Sequence, residues 1–163
     1  PIPGGVLVGR SKSMNQWSEF YWRASGVLPG QPETAPWTML SDDGEHATFY
    51  AGTAVIEFYR TETPYYLINM QSGAPSLWVA LRTAEGEHPF TVSTVTADPA
   101  EGESLTETAT ELVEQVPMPP SIQQFVAEFI AQHPVEQPFI QRKRERRHPD
   151  AMARPSSGGD WNE

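Results

Sequence analysis

Proline and glycine cut this chain into short pieces. There are 16 prolines and 12 glycines among 163 residues, and most runs between them are too short for a long helix. Val6-Leu7-Val8 is an apolar run with glycine on both sides and reads as a strand. Phe20 to Leu28 is aromatic and β-prone and stops at Pro29-Gly30. Trp37 to Leu40 is a short strand ended by Ser41-Asp42-Asp43-Gly44, a hairpin signal. His46 to Tyr50 and Thr53 to Tyr59 flank Ala51-Gly52, which fits either a tight turn or a bulge. Ser76 to Leu81 is continuously apolar, the pattern of a strand covered on both faces. Phe90 to Thr96 alternates with period two and is rich in β-branched residues.

Helix signals are fewer. Thr63-Pro64 supplies an N-cap and a proline at the first helical position, with Gly73 as a left-handed C-cap. Asp98-Pro99-Ala100-Glu101 reads as a cap followed by a capping box, weakened by Gly102. Glu111 to Val116 fits a helix only at the cost of stacking Glu103, Glu107 and Glu111, so a short strand ending at Pro117 is preferred. The one strong helical period follows Pro120, where Ile122, Phe125, Val126, Phe129 and Ile130 form a stripe that Pro134 ends.

This order predicts an α+β fold. The expected form is a mainly antiparallel, curled β-sheet or open barrel with short helices, an amphipathic C-terminal helix and an extended C-terminal arm. Residues 1–133 are expected to form the single domain and residues 134–163 the arm, which is rich in proline and basic residues.

Charge narrows the function classes. The net charge of −10 is unevenly spread: residues 1–141 carry 5 Lys+Arg against 17 Asp+Glu, and the remainder is net positive. An acidic body repels phosphate backbones, so nucleic acid is not an expected partner. No apolar run approaches a membrane span or a secretory signal, so neither direct membrane insertion nor export is expected. The absence of cysteine excludes disulfides, thiolate metal sites and a cysteine nucleophile. A reducing, cytoplasmic setting fits.

No catalytic constellation is legible. The nucleophile elbow, the phosphate loop, the dinucleotide fingerprint and the zinc-protease helix are all missing. His46, His88, His133 and His148 do not share a helical face. His88 beside Glu85 and Glu87 reads as a solvated turn, and Asp42-Asp43 with Glu45 as a hairpin turn without calcium-loop spacing. No catalytic residue, metal site or cofactor is therefore assigned. Trp22 and Trp78 lie in strand-like runs and belong to the core by that reading. Trp17 and Trp37 flank loops, where an aromatic ring serves as a partner-facing anchor. The basic run Arg142, Lys143, Arg144, Arg146 and Arg147, with Phe139 ahead of it, is the sharpest candidate for partner binding.

Several stretches together carry a family likeness: Val27-Leu28-Pro29-Gly30, Pro36 to Leu40, Tyr50-Ala51-Gly52, and Arg60 to Thr63 with Tyr65 and Asn69. Pro75 to Arg82, Val116 to Pro119, and Val135 to Phe139 with its basic continuation complete the set. The chain resembles a bacterial family, domain of unknown function 3305, over about residues 4–150. That resemblance implies no catalytic residues. It implies a gene neighbourhood of molybdenum-dependent formate dehydrogenases and their maturation factors. The expectation is a non-catalytic accessory protein, an assembly factor or small subunit, that docks on a redox enzyme subunit or its maturation factor. Self-association into a homo-oligomer is compatible with it. The alternative is a small-ligand or cofactor-binding domain that uses the interior of the sheet, where Arg23, Arg60 or Arg82 meets an anion.

Overall fold

The β-prone runs become strands in the computed structural model, which describes residues 1–12, 20–86 and 88–135. The first sheet has the order β2-β1-β4-β3, from β1 (Ile2–Lys12), β2 (Phe20–Pro29), β3 (Thr38–Asp42) and β4 (His46–Ile56). The second has the order β6-β5-β7, from β5 (Ser76–Thr83), β6 (Phe90–Thr96) and β7 (Glu111–Pro117). Every pairing is antiparallel. The α+β architecture is as expected, but the curled sheet is two sheets, and no closed barrel forms among the described residues. β1 extends well beyond its apolar centre because it is paired on both sides along most of its length, and pairing outweighs weak local propensity.

Ala51-Gly52 is a bulge, not a turn. Between Val6 and Leu7 the partners of β1 jump from Gly52 to Tyr50, leaving Ala51 as the extra residue. On the other side, between Leu7 and Val8, they jump from Gly26 to Ala24, leaving Ser25 extra. Two bulges therefore flank Leu7, and each adds local twist and bend. The curl brings β2 beside β7 and β4 beside β6. Val6, Val8, Ala24, Val27, Leu77, Val79, Leu81 and Val95 fill the space between the sheets, none more than 5% exposed.

The second helix in chain order packs on the second sheet, and the first packs against the second and third. α1 (Thr63–Met70) follows a 3-10 turn at Arg60–Glu62. Thr63 is not its cap: the hydroxyl donates back to the Arg60 carbonyl at 2.7 Å, and the residue is buried. Asn69, also buried, makes three side-chain hydrogen bonds to the backbone. Its amide nitrogen donates to the carbonyls of Ser76 at 2.8 Å and Ala97 at 2.9 Å, and its oxygen accepts the Ser76 N–H at 3.0 Å.

α2 (Pro99–Thr106) is capped by Asp98, whose carboxylate accepts the N–H of Ala100 at 2.8 Å. The expected capping box is relayed. Glu101 accepts from the Thr96 hydroxyl at 2.7 Å, and that hydroxyl accepts the Asp98 N–H at 3.1 Å. Gly102 is explained by packing. A Cβ there would lie 2.3 Å from Cγ of Trp78, so the helix backbone rests directly on the indole. α3 (Pro120–Gln132) carries the expected stripe. Ile122 and Val126 are fully buried, while Phe125 and Phe129 pack at a tilt against Phe58, 5.1 and 5.6 Å between ring centres. Tyr66 joins this cluster, 5.2 Å from Phe58, and its hydroxyl accepts the Tyr59 N–H at 3.0 Å.

Gly102→Ala should destabilise the fold by about 1–3 kcal/mol, although alanine is the better helix former. Urea titration of G102A, W78A and the double variant would measure the coupling, and additivity would refute the contact. Burial pushes the Tyr66 phenol above its ordinary value. The folded chain therefore keeps this proton to higher pH than the unfolded chain does. The associated stability is fully present below about pH 10, the unfolded value, and is lost as pH rises above it. Tyr66→Phe should flatten that alkaline loss and lower stability at neutral pH by about 1–2 kcal/mol, since the Tyr59 N–H loses its acceptor.

Candidate binding surface

The N-terminal end of β4 carries a second aromatic cluster, and it is built around a tight turn. Thr38 donates its N–H to the Ala35 carbonyl at 3.3 Å, with Pro36 and Trp37 between them. Pro36 suits the first central position of such a turn. Trp37 occupies the second with φ 68°, a backbone state normally left to glycine. The strain is held by the ring. Trp37 lies 6.2 Å from Trp22 and 5.9 Å from Phe49, and its indole is stacked on His88 at 5.4 Å and 11°. The backbone N–H of Trp37 donates to the Tyr50 carbonyl. Phe90 meets Trp22 from the second sheet at 6.2 Å.

Arg10 completes this cluster. Its guanidinium lies over Phe20 at 4.4 Å, Phe49 at 5.1 Å and Trp22 at 5.8 Å, where the rings attract a cation. Among the described residues no carboxylate pairs with it, and it is half-buried in a strongly acidic chain. The sequence reading passed over Arg10, yet Val6, Val8 and Arg10 share a period of two that places all three on the core side of β1.

Beside this cluster an open cleft of about 430 Å3 is lined by Pro36, Trp37, Gly52, Glu85, His88 and Phe90 among others. On the opposite side of Trp37 begins β3. All five of its residues are exposed, including Met39 at 46% and Leu40 at 49%. β3 pairs with β4 only, and among the described residues no strand lies on its outer edge. The hairpin turn that follows is tightly held. Asp43 accepts the N–H groups of Glu45 at 3.0 Å and His46 at 2.7 Å, and these bonds hold its carboxyl below the usual carboxylate range.

Of the residues singled out for partner binding, Trp37 is in this surface, half-buried and with its ring built into the aromatic cluster. Trp17, Phe139, Arg142, Lys143, Arg144, Arg146 and Arg147 lie outside the described residues. The arginines considered for an internal anion site have other surroundings. Arg23 pairs with Glu114 at 3.2 Å and Arg82 with Glu111 at 2.7 Å, while Arg60 is exposed in the 3-10 turn. Glu111 is the more constrained acid. Its side chain is 6% exposed, one oxygen takes Arg82 and the Ser93 hydroxyl, and the other is buried without a hydrogen bond. No three His, Asp or Glu side chains converge as a ligand set among the described residues, and no helix there is long and apolar enough to cross a membrane.

Replacing Trp37 tests the strain directly. Trp37→Gly and Trp37→Ala both lose the ring contacts, but only glycine relieves the positive φ. The glycine variant should be the more stable of the two by about 1 kcal/mol in thermal or urea unfolding. Equal stabilities would mean the turn relaxes once the ring is gone.

A search of the curated proteins and one of the solved structures each returned no match. The family model described as protein of unknown function (DUF3305) matches residues 3–144, most of the chain. On that match the chain belongs to the DUF3305 family.

Proposed function

We propose that this chain is a non-catalytic, cytoplasmic accessory protein, an assembly factor or small subunit that docks on a redox enzyme. The observation that carries the reading is β3: an edge strand with every residue exposed, two of them large and apolar. Folded proteins normally cover, shorten or charge such an edge, because its free N–H and C=O groups recruit other chains. The strained Trp37 turn fixes where that strand begins, and strain held by surrounding packing is a feature of binding surfaces. The gene neighbourhood that the family resemblance implies points to a formate dehydrogenase-like molybdoenzyme as the partner. The basic run from Arg142 to Arg147 supplies a second point of attachment, and two linked contacts raise affinity without a deep pocket.

The test is co-purification of the tagged full-length chain from its native cells, compared with a form lacking residues 134–163. A redox-enzyme subunit or its maturation factor should accompany the full-length chain in near-stoichiometric amount and be lost from the shortened form. A full-length chain that purifies alone, from cells expressing that enzyme, would reject the accessory reading. Unchanged capture by the shortened form would remove the arm from it.

A further inference from the structure

We propose that β3 accepts a cationic, extended segment of a partner protein as a fifth strand of the first sheet. This rests on the accessory reading and names the chemistry of its partner. Each of the other sheet edges has a strand of the opposite sheet beside it, β2 next to β7 and β6 next to β4. β3 has none among the described residues. It also lacks two of the devices that often close an edge. Thr38, Met39, Leu40, Ser41 and Asp42 include no lysine and no proline. The register slips at Leu40, between Met39 and Ser41, so a bulge, the strand's shortness and the single charge of Asp42 are what protect it.

Charge selects the occupant. No lysine or arginine occurs between Arg23 and Arg60, whereas Glu33, Asp42, Asp43, Glu45 and Glu57 do. Asp42, Asp43 and Glu45 stand at the C-terminal end of β3 and in the turn beyond it. A second copy of this chain would bring the same acids and another net −10 to the contact, so self-pairing is opposed by charge. A segment alternating apolar residues with lysine or arginine satisfies both features. Its backbone completes the ladder, its apolar side chains meet Met39 and Leu40, and its cations meet the acidic turn.

The test uses the isotope-labelled full-length chain and an octapeptide alternating valine and lysine. One comparator is the same peptide with every backbone nitrogen methylated, which keeps the charges but cannot donate. The other alternates valine and glutamate. The valine–lysine peptide should slow amide exchange within residues 38–42 by about tenfold or more, and both comparators should bind at least about tenfold more weakly. Leu40→Lys, at an exposed site, should keep the thermal unfolding of the parent and lose this protection. Equal binding of the methylated peptide, protection confined to other strands, or no binding would each overturn strand addition. So would a dimer of the free chain that Leu40→Lys dissolves, which would give the edge to a second copy. The two readings separate in co-purification. A Leu40→Lys chain that still captures the redox-enzyme subunit at parental yield leaves the accessory role standing and overturns strand addition. A parent that binds the peptide as described yet captures nothing keeps the edge chemistry and rejects the accessory role.

Discussion

The buried amide of Asn69 is the contact on which the second half of the fold depends. Its three hydrogen bonds join the last turn of α1 to the first residue of β5 and to the junction between β6 and α2. A buried backbone group left unpaired costs on the order of 1–3 kcal/mol. Because β5 is the central strand of its sheet, fixing its start also fixes the position of β6 and β7. α2 is then placed by Asp98 and by the flat contact of Gly102 on Trp78. The chain gains position from one side chain that is polar, buried and satisfied, where an apolar residue would allow sliding.

The sequence is most readable where periodicity is strong and local. β5, β6 and β7 and the stripe of α3 follow directly from apolar pattern and proline placement. The ends of helices were less readable, because the same residue types make more than one bond. Thr63 has a cap's chemistry but donates backwards, and Glu101 reaches Thr96 instead of the Asp98 backbone. The division into two sheets was hidden because it depends on which strands face each other across the core. The two bulges beside Leu7 show the same limit: Ala51-Gly52 signals irregularity in the sequence, whereas Ser25 does not. Of the candidate surface, the position of Trp37 beside a loop was legible in the sequence. Its left-handed backbone, the cation of Arg10 among the rings and the open side of β3 were not, since each is a product of tertiary arrangement.

The surface joins features of opposite polarity. Arg10 is held over aromatic rings and pairs with no carboxylate among the described residues, while the turn after β3 concentrates acids. The aromatic cluster is rigid: rings from β2, β4 and the Trp37 turn interlock, and Phe90 reaches them from β6. Rigidity of this kind lowers the ordering cost of association, because the groups next to an incoming chain are already fixed. In the proposed strand addition it places the flexible demand on the partner, whose segment would have to straighten to lie along β3.

The two sheets are contiguous in the chain, residues 2–56 for the first and 76–117 for the second. During synthesis the first sheet is complete while the second has yet to leave the ribosome. At that stage Val6, Val8, Ala24 and Val27 have no facing layer, although in the finished protein none is more than 5% exposed. A nascent chain of this length would therefore present an apolar sheet face and an open edge together, the combination most prone to misassociation. Translation speed across residues 57–117 thus bears on the yield of folded protein, independently of the stability that the finished fold attains.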